Sequence, residues 1–170
     1  KEIGAVNCIK ITWENNMPFL KGYNTDYYGF AQSIKPFLEP IHQKALILGT
    51  GGSSKAIAYA LKNVGVDFYY VTTSKKKASN YFHYTELNEY VLNAFKLIVN
   101  CTPLGMYPKI DVCPEIPFQF LTSEHLLFDL IYNPEETLFL KNGKIQGAVT
   151  INGLNMLKLQ ADKAWEIWHS

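Results

Sequence analysis

The chain has 170 residues, enough for one ordinary domain with a sizeable core. Hydrophobic residues make up 48% and charged residues 18%, which places it among globular and not disordered chains. A net charge of +1 gives no footing to nucleic acid or an anionic membrane surface as partner, and no apolar run approaches the length of a membrane span.

Residues 1–22 read as two short strands, Ala5–Thr12 and Pro18–Tyr23, about the turn Glu14-Asn15-Asn16. A hairpin this small does not stand alone, so it is expected to pair with something, an upstream segment being the natural candidate. Asn24-Thr25-Asp26 precedes a helix over Tyr27–Ile34, with Thr25 or Asp26 as its N-cap and Pro36 and Pro40 ending it. Ala45–Leu48 is a strand, and a helix over Ser53–Val64 follows, with Ala56, Ile57, Ala60, Leu61 and Val64 on one face and Gly65 at its C′ position. Phe68–Thr72 completes a βαβ unit.

Beyond it, Thr85-Glu86-Leu87 opens a short helix, and Leu97–Asn100 is an apolar strand of the kind buried on both faces of a parallel sheet. Residues 107–124, with Pro108, Pro114 and Pro117, read as surface loop. Leu126–Ile131 is a further strand, Glu135–Leu140 a helix and Ile145–Thr150 the last strand. The final helix, from Asn152 or Gly153 to Trp168, carries the apolar stripe Leu154, Leu157, Ala161, Ala164, Trp165 and Trp168. Alternation of strand and helix makes the class α/β, a doubly wound, mostly parallel sheet.

Lys1-Glu2-Ile3-Gly4 leads into a strand and not an apolar h-region, so no signal peptide is expected. Cys8, Cys101 and Cys113 are not spaced like a zinc site and read as free thiols in a reducing cytosol, with no metal.

The pattern Gly49-x-Gly51-x-x-Ser54 lies between a strand and a helix, where a dinucleotide loop belongs. Gly49 permits the tight turn, Gly51 lets the backbone approach phosphate, and Ser54 is small for helix–strand packing. Thr50, Gly52 and Ser53 complete the loop. The same residues also describe a bare βα turn. After the second strand, Thr72-Thr73-Ser74-Lys75-Lys76-Lys77 offers no carboxylate for a ribose 2′-hydroxyl, while its hydroxyls and lysines suit a 2′-phosphate. That favours NADP over NAD; a solvated basic turn is the alternative.

Six stretches carry a resemblance: Gly4-Ala5-Val6-Asn7, Gly22–Phe30, Gly49–Ala56, Asn100–Met106, Asp129–Pro134 and Asn152–Ala161. In this order, over nearly the whole chain, they resemble shikimate dehydrogenase. The resemblance implies a Rossmann-like fold and NADP-linked reversible oxidation of shikimate to 3-dehydroshikimate, a step of aromatic amino-acid and chorismate biosynthesis. It implies substrate contacts from Asn7, Asp26, Tyr132 and Gln160, with Asp26 catalytic. It also implies cofactor contacts from the glycine loop, Thr72, Thr73, Ser74, Lys77, Thr102, Pro103, Leu130 and Gly153. Asp26 in this role holds the reacting hydroxyl and tunes a neighbouring acid/base group. On local pattern alone Asp26 is equally a helix cap, Gln160 an exposed helix residue and Tyr132 a packing residue at a strand end.

The sequence departs from the family twice. Family members carry Asn-Arg-Thr where Thr72-Thr73-Ser74 stands, so the Arg that clasps the 2′-phosphate is missing. The family's Ser-x-Ser clamp and proton-transfer lysine precede the Ala-Val-Asn motif and have no counterpart here. The expected organisation is therefore a substrate-domain remnant over residues 1–25, an NADP-binding Rossmann domain over 26–150, and a helix returning to the substrate domain over 151–170. The expectation is a cytoplasmic monomer or homodimer that binds cofactor but turns over shikimate poorly or not at all. An NAD-linked quinate/shikimate dehydrogenase and a non-catalytic dinucleotide-binding module are the competing functions.

Overall fold

The computed structural model describes residues 2–74 and 79–170. The chain enters as a hairpin, β1 (Cys8–Glu14) and β2 (Met17–Tyr23), paired antiparallel from Cys8 opposite Tyr23 to Glu14 opposite Met17. Asn15 and Asn16 form its two-residue turn, both at positive φ (51° and 61°), a conformation asparagine tolerates and the twist of a tight hairpin requires. Cys8 is buried, but Ile9, Ile11, Trp13, Met17, Phe19 and Leu20 are all more than half exposed, so the hairpin contributes little to the core.

Next comes α1 (Asp26–Ile34). Thr25 holds the N-cap position but its side chain does not cap. Asn24 Oδ1 accepts the Tyr27 N–H at 3.2 Å instead, which frees the Thr25 hydroxyl for other work. A 3-10 turn over Lys35–Phe37, with Pro36 inside it, ends the helix.

The body is a six-stranded sheet of β3 (Lys44–Leu48), β4 (Asp67–Thr72), β5 (Tyr81–His83), β6 (Leu97–Asn100), β7 (Leu126–Asp129) and β8 (Val149–Ile151). Their order is β5-β4-β3-β6-β7-β8, with every neighbouring pair parallel. This is the doubly wound order of dinucleotide-binding folds, and the winding reverses between β3 and β6. The four helices that cover it are α2 (Gly52–Asn63), α3 (Glu89–Ala94), α4 (Leu138–Ile145) and α5 (Leu154–His169), together with α1.

Side chains alternate across the central strands, as the two-residue period demands. Ala45, Ile47, Leu97, Val99, Leu126 and Phe128 meet Phe30 and Ile34 of α1, Ile57 and Leu61 of α2, and Met156 of α5. Leu46, Leu48, Ile98 and Leu127 face the other way, onto Leu92 of α3 and Phe139 and Leu140 of α4.

Several elements differ from the sequence expectation. The strand β5 is too short, at three residues, to register as a pattern. Residues 84–86 form a 3-10 turn, and α3 starts only after Asn88, whose side chain accepts the Val91 N–H at 3.1 Å. Residues 107–124 are not all surface: Ile116 and Leu121 are buried in the second core layer. The fourth helix begins after Thr137 and runs through Ile145, so residues 145–148 are not strand; Gly147, at φ +86°, turns the chain before β8.

The apolar stripe expected on α5 is mostly an outer one. Of it only Ala164 is buried; Leu154, Leu157, Ala161, Trp165 and Trp168 are exposed. The helix instead packs through Met156, Gln160 and Ala164. Gly29 of α1 lets it come close: a Cβ there would stand 2.6 Å from the Met156 carbonyl oxygen and 3.0 Å from Gln160 Cβ. Helix propensity favours Ala over Gly by about 1 kcal/mol, yet the clash is with backbone. Gly29→Ala is expected to lose roughly 1–3 kcal/mol net, read by urea unfolding followed with far-UV circular dichroism. A net gain would show that α5 moves outward freely.

Candidate functional site

The first strand of the sheet, β3, runs into Gly49 at φ +98°, a conformation most side chains avoid. A Cβ there would also meet Thr102 Cγ2 at 3.1 Å and Cys101 O at 3.4 Å. Thr50, half-buried, leads to Gly51, the N-cap of α2. At Gly51 and Gly52 a Cβ would meet nothing within 4 Å, so the backbone there borders open space. No side chain caps α2, and the first N–H groups of a helix have no acceptor of its own. Ser54, buried, donates its hydroxyl to the Gly51 carbonyl at 2.7 Å and tightens the turn. Free backbone donors beside an open cradle fit a pyrophosphate, with the positive end of the helix dipole toward it.

Next to this loop lies a pocket of about 460 Å³ whose walls include Ser53, Thr102, Pro103, Leu130, Ile131 and Tyr132. These residues follow the carboxyl ends of β3, β6 and β7, at the switch in winding where ligands of such sheets sit. Gly153 is packed behind them. Its N–H donates to the Ile131 carbonyl at 3.0 Å, and a Cβ on it would lie 2.0 Å from the Leu130 oxygen. At the end of β4, Thr72 is buried and its Oγ1 accepts the Ser74 N–H at 3.1 Å; Thr73 and Ser74 are exposed. The Thr73 carbonyl is 3.2 Å from His83 Nε2. Lys77, with Lys75 and Lys76, lies outside the described residues.

Three of the four expected substrate residues are brought together by hydrogen bonds. Asn7 Nδ2 donates to Asp26 Oδ1 at 2.7 Å, and Asn7 Oδ1 accepts the Thr25 N–H at 2.8 Å. The Thr25 hydroxyl donates to Gln160 Oε1 at 3.0 Å. Residues from before β1, from the start of α1 and from α5 thus share one polar cluster. Burial lifts the Asp26 carboxyl above the usual carboxylate value, and the Asn7 hydrogen bond offsets part of that. Among the described residues Asp26 Oδ2 has no hydrogen-bond partner. Tyr132 stands apart from this cluster, about half exposed in the wall of the pocket.

Sequence reasoning took Thr25 only as a helix cap and Asn100 and Asp129 only as the first residues of two motifs, with no role assigned, and passed over Thr137. Asn100 and Asp129 are fully buried. Asn100 Nδ2 donates to Asp129 Oδ1 at 3.1 Å; Asp129 Oδ1 also accepts the Ile131 N–H at 3.0 Å and its Oδ2 the Thr137 hydroxyl at 2.6 Å. Burial pushes the Asp129 carboxyl up to about 6, against the pull of these three donors. The signal that marks them is a single polar residue closing an otherwise apolar strand, in Leu-Ile-Val-Asn and in Leu-Leu-Phe-Asp.

Comparison with known proteins agrees with this geometry. In an alignment of 180 positions that takes in 99% of the chain, the sequence is 42% identical to a shikimate dehydrogenase (NADP(+)) of Methanococcus aeolicus. The chain is homologous to the shikimate dehydrogenases. It spans about 63% of the length of that relative. A chorismate mutase/shikimate 5-dehydrogenase fusion protein from Clostridium acetobutylicum superposes on 99% of the chain with a TM-score of 0.81 at 37% identity, over 61% of its own length. A quinate dehydrogenase from Corynebacterium glutamicum in complex with NAD gives the same TM-score, 0.81, at 26% identity, covering 98% of this chain and 63% of its own. No protein-family model matches the sequence. The α/β sheet with its small hairpin is the shikimate dehydrogenase type of fold.

Two outcomes are expected. Gly51→Ala places a methyl group in the open cradle and touches no protein atom, so stability changes by less than about 1 kcal/mol while the dissociation constant for NADPH rises at least about tenfold, measured by calorimetry beside thermal melts. Equal losses in both would assign Gly51 to the fold alone. The second concerns pH. The folded Asp129 carboxyl takes up a proton at about 6, the unfolded one near 3.8. The native state therefore binds more protons between these values, and the stability this gives is full below pH 4 and lost as pH rises through 6. The stability advantage of the wild type over Asp129→Asn is expected to shrink by roughly 3 kcal/mol between pH 4 and pH 7, read from urea midpoints; a gap that widens with pH contradicts the assignment.

Proposed function

We propose that the protein acts in the NADP-linked reversible oxidation of shikimate to 3-dehydroshikimate. The observation that carries this is the union of Asn7, Asp26 and Gln160, drawn from three distant stretches, in one polyol-sized set of donors and acceptors. NADP, when bound, supplies the hydride acceptor. Gly51, Gly52 and Ser53 would hold its pyrophosphate, Thr102, Pro103, Leu130 and Gly153 would shape the nicotinamide end, and Thr72, Thr73 and Ser74 would meet the adenosine end. Asp26 Oδ1 is fixed by Asn7, and Oδ2 is left to accept the reacting hydroxyl. Burial raises its pKa, which makes the carboxylate a better proton acceptor than an exposed one. Tyr132 closes the substrate from the pocket side.

The proposal includes an organisation: residues 1–25 belong to a substrate-binding domain, 26–150 to the cofactor domain, and 151–170 return toward the substrate. The relatives named above are longer than this chain, and the proton-transfer lysine implied by the resemblance has no counterpart within it. We expect these 170 residues to bind NADPH and to turn over shikimate poorly or not at all; robust NADP-dependent shikimate oxidation by them alone would sink that part of the reading. No helix among the described residues is long and apolar enough to cross a membrane, and we propose a cytoplasmic monomer or homodimer.

One observation favours a second reading. All 16 basic residues are lysine, so no arginine can clasp a 2′-phosphate, and a quinate dehydrogenase with NAD shares the fold. Against it, β4 ends in Thr72 with no carboxylate for a 2′-hydroxyl. Titration with NADPH and NADH separates the two: tighter NADPH supports the first reading, tighter NADH the second. In the protein with its gene's whole reading frame, Asp26→Asn is expected to lower shikimate oxidation by about 10²-fold or more with NADPH affinity unchanged. An unaltered rate would leave Asp26 as a helix-end residue.

A further inference from the structure

Buried polar groups survive in a core only when they are fully hydrogen-bonded, and Asn100 and Asp129 are directly opposite one another at the ends of β6 and β7. Neither is needed for sheet pairing, which the backbone supplies. Their bonds run elsewhere. Asn100 Oδ1 accepts both the N–H and the hydroxyl of Thr102, at 3.0 and 2.7 Å. Asp129 Oδ1 accepts the N–H of Ile131. Each side chain therefore reaches two residues forward and fixes the turn by which the chain leaves its strand. Both turns line the pocket, one through Thr102 and the other through Ile131.

The bonds extend further at each end. The Thr102 hydroxyl accepts the Leu104 N–H at 3.3 Å, and its methyl lies against the Cβ position of Gly49 in the phosphate loop. The Ile131 carbonyl takes the N–H of Gly153, at the entry to α5, which carries Gln160. Through Asp129 Oδ2 the Thr137 hydroxyl is held, and it accepts the Leu140 N–H at 3.4 Å as the cap of α4.

We propose that Asn100 and Asp129 are the positioning pair of the site. Their mutual hydrogen bond sets the gap between the loops over residues 101–106 and 130–134, in which the nicotinamide ring is held, and ties that gap to the phosphate loop and to α5. The pair acts through Thr102 and Ile131 and touches no ligand itself. This rests on the dinucleotide reading above.

The test uses two probes on the 170-residue chain: NADPH, which spans the whole site, and adenosine 2′,5′-bisphosphate, which lacks the nicotinamide half. Thr102→Val keeps the shape and removes the hydroxyl. It is expected to raise the NADPH dissociation constant about tenfold, the size of one net hydrogen bond, and to leave that of the bisphosphate within about twofold. Asn100→Asp sets two carboxyl groups face to face and is expected to lose more; combining it with Asp129→Asn exchanges amide and carboxyl and is expected to recover at least half of the loss, expressed as the logarithm of affinity. Should Asn100→Asp not fold, Thr102→Val decides. If both probes weaken equally, or neither weakens, the pair serves the fold alone and the proposal is overturned. If the wild type binds neither probe, the dinucleotide reading fails first and this inference with it.

Discussion

A parallel sheet buried on both faces leaves only its strand ends to meet solvent and ligand. The rest of this molecule follows from that constraint. The central strands β3, β6 and β7 are apolar except at one end each, Lys44, Asn100 and Asp129, and helices close both sides. The pocket beside the glycine loop is lined from the loops at their carboxyl ends, Gly49–Ser54, Cys101–Met106 and Leu130–Asn133. These loops cannot lean on one another by apolar packing alone, because their walls must stay open to a ligand. The buried amide–carboxyl pair beneath them supplies the direction that packing lacks. Glycine does the same work sterically at Gly29 and Gly153, where backbone stands in the place of a side chain.

Much of this was legible in the residues. The continuous apolar run Leu97–Asn100 fell where the strand is, and Ala45–Leu48 and Phe68–Thr72 each to within one residue at the start, because a strand buried on both faces leaves a strong composition signal. The glycine loop was readable since its spacing, strand before and helix after are all local. What failed was long-range. The outward turn of Leu154, Leu157, Trp165 and Trp168 depends on Gly29 drawing α5 in by a different face, and helical periodicity names stripes without saying which one is covered. Residues 145–148 read as strand because Ile145 and Val149 flank a glycine, yet Ile145 continues the period of Leu138. The site cluster was recognisable only through resemblance: nothing in Asn7 or Gln160 by itself predicts that Thr25 links them.

The chain has sixteen lysines and no arginine, which bears on how the proposed site would meet a phosphate. A guanidinium offers a planar, two-pronged match to phosphate, whereas an ammonium is a strongly hydrated point charge. At the proposed dinucleotide site, directional recognition of phosphate would then rest on backbone N–H groups such as those at the start of α2, with lysine adding attraction that salt screens readily. The architecture fits such a division, since the geometric part of the cradle is made entirely of main chain and two serines.

The distribution of tryptophan has an optical consequence. Trp13, Trp165 and Trp168 are the chain's three tryptophans, and all sit on the hairpin or the outer stripe of α5, more than half exposed. Trp168 is held there by donating its indole N–H to the Ile9 carbonyl at 3.1 Å, and Trp165 stacks on His169 with ring centroids 4.0 Å apart. The six-stranded sheet and its glycine loop contain no indole at all. Intrinsic emission therefore reports on one face of this protein and is nearly blind to the other: it will follow whatever covers the hairpin and α5, with a blue shift as the indoles leave water, while the core can melt with little change in colour.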